Sequence, residues 1–176
     1  MNLEERKIRR RIIMHKEFKA LVDKVFREVK KYYGKNLVSF VIFGSVARNT
    51  FSPCSDIDFL IICENLPDGR AKRIIDFIEN VEVKVEDYIK NLRKKNIFTE
   101  LSPVIKRPDE VKMGSFLFLD MIEDAVILYD RNNFFRKYLS ELKRKLRKYG
   151  AKKIYKKGGY YWILKNKIDI KKGVEL

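Results

Sequence analysis

Two short runs constrain the fold of this chain more than any other feature: LVSFVIF at 37–43 and DIDFLII at 56–62. Both are rich in β-branched, aromatic and leucine side chains, so each reads as a short strand buried in a core. The second run, however, opens on two aspartates. Residues i and i+2 of a strand point to the same face. Asp56 and Asp58 therefore stand side by side, and their charges repel unless a cation lies between them.

The surroundings of these runs set the architecture. Gly44-Ser45 ends the first run, VARNT (46–50) is long enough for about one helical turn, and FSPCS is a loop. Upstream, residues 3–33 carry apolar positions of which the later ones take helical spacing, with Gly34 as the stop. Downstream, ENLPDG is a turn. Ile74, Ile75, Ile78, Val81, Val85, Tyr88, Ile89 and Leu92 then fit a helix over about 70–94. VEVKVE (81–86) also alternates as a strand does, but the flanking period favours the helix. IFTELSPVI (97–105) reads as a third strand that Pro103 pushes to an edge. A short helix in SFLFLDMIED, a fourth strand at 125–130 and a helix at 134–150 closed by Gly150 follow. KKIYKKGGYYWILK completes the pattern as a hairpin turning at Gly158-Gly159. Strands alternating with helices make an α/β or α+β sheet with helical cover. A basic N-terminal helix (1–36), a core (37–130) and a basic C-terminal helix and hairpin (131–176) are expected to pack as one domain.

Several function classes fall away. No apolar run approaches bilayer length, and the N-terminus lacks the apolar stretch and cleavage site of a signal peptide, so a soluble, cytoplasmic protein is expected. Cys54 and Cys63 form no disulfide framework; Cys63 reads as a buried core residue and Cys54 as a loop residue. His15 is the single histidine and reads as a helix-surface residue, which all but excludes a histidine-based zinc site or a Ser-His-Asp triad. Any chemistry must rest on carboxylates. The net charge of +16 divides into +7 over 1–36, −4 over 37–130 and +13 over 131–176. Such a layout suits a carboxylate-lined centre flanked by surfaces that attract polyanions. A lysine-rich, heat-adapted surface has the same composition.

Residues 43–62 combine a glycine that permits close backbone approach, a serine hydroxyl at a helix start, and two carboxylates on one strand face. Hard oxygen ligands suit Mg²⁺ together with substrate phosphates. Phosphate pocket plus paired carboxylates is what metal-assisted phosphoryl or nucleotidyl transfer needs.

Gly44-Ser45, ten intervening residues and Asp56-Ile57-Asp58 resemble the Gly-Ser…Asp-x-Asp signature of the DNA polymerase β-like nucleotidyltransferase superfamily. The string GSVARNTFSPCSDIDFLI is most similar to its minimal nucleotidyltransferase branch. The resemblance implies a nucleotidyltransferase fold built on a small mixed sheet, a nucleoside triphosphate donor (ATP foremost) and Mg²⁺ or Mn²⁺. It also implies transfer of a nucleoside monophosphate with loss of pyrophosphate. By the same resemblance Asp56 and Asp58 bind metal, and Gly44 and Ser45 cradle the triphosphate. Arg48 assists the phosphates or pairs with a carboxylate. Ser55 reads as a turn residue, and the resemblance counts it among the nucleotide-binding positions. A third carboxylate, metal ligand and general base, falls to Glu100 in FTELSPV, or to Glu82 or Glu86 if VEVKVE is a strand. The family usually has glycine after the arginine; here Asn49 follows Arg48, and asparagine is the next-best residue for a left-handed turn.

The acceptor is expected among three kinds: RNA, suggested by the basic ends, a partner-protein side chain, as in relatives that act as antitoxins on a toxin, or an antibiotic-type small molecule. A non-catalytic nucleic-acid-binding module and an antitoxin-like interaction protein are the alternatives. Tyr155, Tyr160, Tyr161 and Trp162 among lysines either stack bases or pack the hairpin onto the body.

Overall fold

A computed structural model describes residues 16–156 and 159–163. Helix α1 (Lys16–Tyr33) turns Phe18, Leu21, Val22, Val25, Val29 and Tyr33 inward at helical spacing. The expected start of this helix near residue 3, and His15 with it, lie outside the described residues. Gly34 ends α1 with φ +51°, and a short 3₁₀ turn leads into β1 (Leu37–Phe43), all of whose residues are buried. Then come α2 (Gly44–Arg48), β2 (Ile57–Cys63), α3 (Arg70–Asn80), α4 (Glu86–Arg93) and β3 (Leu101–Lys106). The chain continues through α5 (Pro108–Lys112), α6 (Leu117–Asp124), β4 (Val126–Asp130) and α7 (Phe134–Lys148). It closes with a hairpin of β5 (Lys152–Lys156) and β6 (Gly159–Ile163).

The main sheet has the order β3-β2-β1-β4. β1 runs antiparallel to β2 and β4, while β2 and β3 are parallel, so the sheet is mixed. The two central strands are buried on both sides because helices cover both faces. Phe40, Ile42, Phe59 and Ile61 face α1, α3 and α4. Val41, Phe43, Leu60 and Ile62 face α6 and α7. A register shift between Leu37 and Ser39 reverses the alternation, which puts Val38 on the α7 face with Val41. Fully buried Phe40 and Phe59 pack ring against ring at 5.4 Å, each ring contributing about 1.5–3 kcal/mol by burial.

Three expectations need adjustment. The helix expected over 70–94 is broken: Val81 and Val85 leave the helical region, and a 3₁₀ turn at Glu82–Lys84 separates α3 from α4. Three β-branched valines in alternation weaken the helix there, and Asn80 bonds back to the Asp76 carbonyl at 2.9 Å. VEVKVE is not a strand, since Val81 and Val85 are buried while Val83 is 49% exposed. The third strand begins at Leu101, so Glu100 stands one residue ahead of it; β3 is nevertheless an edge strand, as Pro103 requires. The hairpin strands pair, with Lys156 opposite Gly159; the expected turn residue Gly158 lies outside the described residues, and Gly159 belongs to β6. Trp162 packs against the α7 side of the core. Cys54 is exposed and Cys63 buried, both free. Burial pushes the Cys63 thiol up to about 12, which leaves it inert at neutral pH.

Candidate active site

The end of β1 and the start of β2 bring the signature together. Phe43 pairs with Asp58 across the antiparallel ladder, so the next residue, Gly44, passes directly over the Asp58 side chain. Gly44 has φ +71°, and a Cβ placed on it would collide with the Asp58 carboxylate, with the carboxyl carbon at 2.9 Å. Backbone conformation and space both demand glycine at this position. α2 is little more than one turn and ends on Asn49 at φ 57°, ψ 38°, in the left-handed region. Asn49 N–H donates to Val46 O at 3.2 Å and Thr50 N–H to Ser45 O at 3.0 Å. Asparagine thus closes the turn where the family usually has glycine. Ser45 is half-buried at the head of α2, and exposed Arg48 at its end acts on Asp58 through its charge.

The carboxylates lie on the α7 face of the sheet. Burial raises the Asp58 carboxyl above the usual range, and the neighbouring Asp56 charge raises it further; the Ser102 hydroxyl and Arg48 oppose them. Ser102 is the register partner of Asp58 on β3. Ahead of β3 exposure alternates, with Phe98, Glu100 and Ser102 outward and Thr99 and Leu101 buried. The main chain here extends the β2 ladder. Phe98 N–H donates to Pro53 O at 2.7 Å, Glu100 N–H to Asp56 Oδ1 at 3.3 Å, and Ile57 N–H to Glu100 O at 2.9 Å. Glu100 therefore flanks Asp56 through its backbone. Its side chain is exposed, and its charge acts on Glu82, whose carboxyl is raised by burial first and then by Glu100 and Glu86. Glu86 is held by Lys90 at 2.9 Å, on a helical turn rather than a strand. Ser55 has its hydroxyl engaged in the 52–55 turn, where Ser52 N–H donates to it at 2.9 Å.

The structure brings together Gly44, Ser45, Arg48, Asp56, Asp58 and, beside them, Glu100. Ser102 was missed from sequence. Its signal was there, two residues after Glu100 in a strand pattern and so on the same face. Among the described residues no three acidic, cysteine or histidine side chains converge into a closed metal cage. The site offers instead two adjacent carboxylates whose mutual repulsion a divalent cation would relieve. That donor set suits Mg²⁺, which is held by one or two carboxylates with the substrate's phosphates completing its shell.

Comparison with known proteins bears on the same segment. The family model described as nucleotidyltransferase domain matches residues 22–110, from α1 through α5. A protein of Methanocaldococcus jannaschii, provisionally named a protein adenylyltransferase, is 30% identical over 132 residues, covering 70% of this chain and 79% of its own. Among solved structures, a toxin–antitoxin complex with AMP-PNP matches at 14% identity over 73% of this chain and 91% of that one, with a TM-score of 0.43. A nucleotidyltransferase from Sulfolobus solfataricus, its function provisionally assigned, matches at 18% identity over 69% and 94%, with a TM-score of 0.33. Those superpositions are loose and say nothing by themselves about activity. The family match, spanning both aspartates, Gly44-Ser45 and Glu100, is decisive: the chain belongs to the nucleotidyltransferase-domain family.

Proposed function

We propose that this protein transfers AMP from ATP to a hydroxyl group of a partner protein. The observation that carries the reading is the passage of Gly44 over the Asp58 carboxylate. It puts side-chain-free backbone, with Ser45 the next residue, against the Asp58 carboxylate, and Asp56 stands two residues before Asp58; backbone and paired carboxylates of this kind suit a metal-bound triphosphate. Asp56 and Asp58 would hold Mg²⁺, which when bound neutralises charge at the α-phosphate and on the leaving oxygen. Gly44 and Ser45 hold the triphosphate, and Arg48 adds positive charge beside it. Glu100, at the β3 side of Asp56, accepts the proton of the acceptor hydroxyl. The acceptor oxygen bonds to the α-phosphorus, the bond to the pyrophosphate oxygen breaks, and pyrophosphate leaves. A protein acceptor and an adenylyl donor are supported by the name of the Methanocaldococcus jannaschii relative.

The test is incubation with ATP labelled at the α-phosphate, Mg²⁺, and protein and RNA fractions of the native host. Label should enter the protein fraction, and Asp56→Asn/Asp58→Asn should lower incorporation by about a thousandfold or more. Unchanged incorporation in the double variant removes the site; label confined to RNA changes the acceptor.

A further inference from the structure

α7 covers the sheet face that carries Asp56 and Asp58, and its outer surface has one sign of charge. Phe135, Tyr138, Leu139, Leu142 and Leu146 face the core. Arg136, Lys137, Arg144, Arg147 and Lys148 are exposed. Across Phe134–Lys148 seven basic residues stand against Glu141 alone, a net charge of +6, and Arg144 Nε holds Glu141 at 2.9 Å.

A heat-adapted surface interleaves opposite charges. α4 does so, with Lys90 at 2.9 Å from Glu86 and 3.9 Å from Asp87. α7 does the opposite, since Lys143 with Arg147 and Arg144 with Lys148 are like charges at i,i+4. Each such pair is destabilising in an isolated helix. The helix is ~22 Å long, so its net charges stand about 4 Å apart, close to the ~3.4 Å charge spacing along one nucleic-acid strand. Tyr149 follows directly, 38% exposed, with the Lys148 ammonium 6.0 Å from its ring centre. An aromatic face at the end of a basic track suits an unpaired base. Insertion into a membrane surface needs a free apolar stripe, and the apolar stripe of α7 lies in the core.

We propose that the outer face of α7, with Tyr149 at its end, binds a single-stranded nucleic acid through its phosphates. The proposal is independent of nucleotide transfer. It is tested by fluorescence anisotropy of labelled oligouridylate and oligothymidylate at rising KCl. The full chain should bind, with log affinity falling linearly against log salt at a slope of about −0.7 per phosphate contact. Lys137→Gln/Arg144→Gln/Arg147→Gln/Lys148→Gln should weaken binding at least about tenfold and flatten that slope. Lys16→Gln/Lys19→Gln/Lys31→Gln on α1 should leave both unchanged. If the quadruple variant does not fold, Arg147→Gln/Lys148→Gln, in the last helical turn, should still flatten the slope. Binding of either oligomer in this pattern supports the proposal. Absence of salt-dependent binding, equal losses in the α1 and α7 variants, or displacement by polyglutamate at lower concentration than by oligouridylate overturns it; the last result assigns the face to an acidic protein.

Discussion

The two ends of the sheet treat acidic side chains in opposite ways. At the end where β1 gives way to Gly44, burial and then the Asp56 charge raise the Asp58 carboxyl, and burial and then Glu100 and Glu86 raise that of Glu82. At the other end, Arg131 reaches Glu64 at 2.5 Å and Arg107 reaches Asp68 at 2.7 Å. There Arg73, 5% exposed, bonds to Glu110 at 2.7 Å and to the carbonyls of Pro67 at 2.7 Å and Ile105 at 3.3 Å. The buried Arg73 guanidinium ties α3 to β3 and α5, while the Arg131–Glu64 and Arg107–Asp68 pairs are more exposed. Acids crowded against one another must be maintained for something other than stability.

That contrast breaks if substitutions at the two ends have similar consequences. Arg73→Met removes the three hydrogen bonds of a buried guanidinium, one of them to Glu110, so it should lower unfolding free energy by about 3 kcal/mol in denaturant titrations. Nucleotide transfer by the fraction that remains folded should be unchanged, because Arg73 lies at the far end of β2 from Asp58. Arg73→Met/Glu110→Leu should recover only part of the loss, since Glu110 also accepts from the Arg107 N–H at 2.7 Å and that bond goes with it. Equal stability of Arg73→Met and the parent chain would mean that this clamp contributes nothing.

Within the acidic end, Glu100 and Glu82 can be separated. Glu100→Gln should lower turnover by about a hundredfold, the usual size of a general-base contribution, with little change in the KM for ATP. Glu82→Gln should leave turnover within a fewfold, since Glu82 sits on a 3₁₀ turn and is coupled to the site only through Glu100. The reverse order in steady-state kinetics would give the proton-accepting role to Glu82.

How much of this was legible in the sequence depends on how local its causes are. β1 was readable to the residue because every side chain in Leu37–Phe43 except Ser39 is apolar. The Gly44–Asp58 contact and the left-handed Asn49 follow from a motif within one stretch of chain. The break at Val81–Val85 was hidden, because burial at those two positions fits an unbroken helix as well as two helices with a 3₁₀ turn between them. Glu100 was placed inside a strand since apolar neighbours surround it, but the ladder there is carried partly by the Asp56 side chain. The Arg73–Glu110 clamp joins residues 37 apart in sequence and leaves no local pattern. The resemblance to a nucleotidyltransferase signature singled out the candidate residues, while the pairing that sets Ser102 opposite Asp58 across the β2–β3 ladder needed the fold.

The smallest expected effect tests the same contrast through pH. Burial pushes the Glu110 carboxyl up, but the Arg73 bond, the Arg107 N–H and both guanidinium charges hold it below the usual range. A depressed carboxyl contributes stability above its unfolded value, about 4.3, and loses it as pH falls through the lower folded value. Asp58 is raised, so its sign is opposite. Its ionised form costs stability at neutral pH, and that cost vanishes as pH falls through the folded value, which lies above the unfolded one of about 3.9. Asp58→Asn should therefore be slightly more stable than the parent chain at neutral pH without divalent metal, by about a few tenths of a kcal/mol after solvent screening. The difference should close as pH falls through the raised folded value toward the unfolded one of about 3.9. Thermal melts of both chains across this range, in the presence of a chelator, measure it. A variant less stable than the parent at neutral pH would mean that the crowded carboxylates hold the fold together after all, and the two ends of the sheet would then differ only in which cations they use.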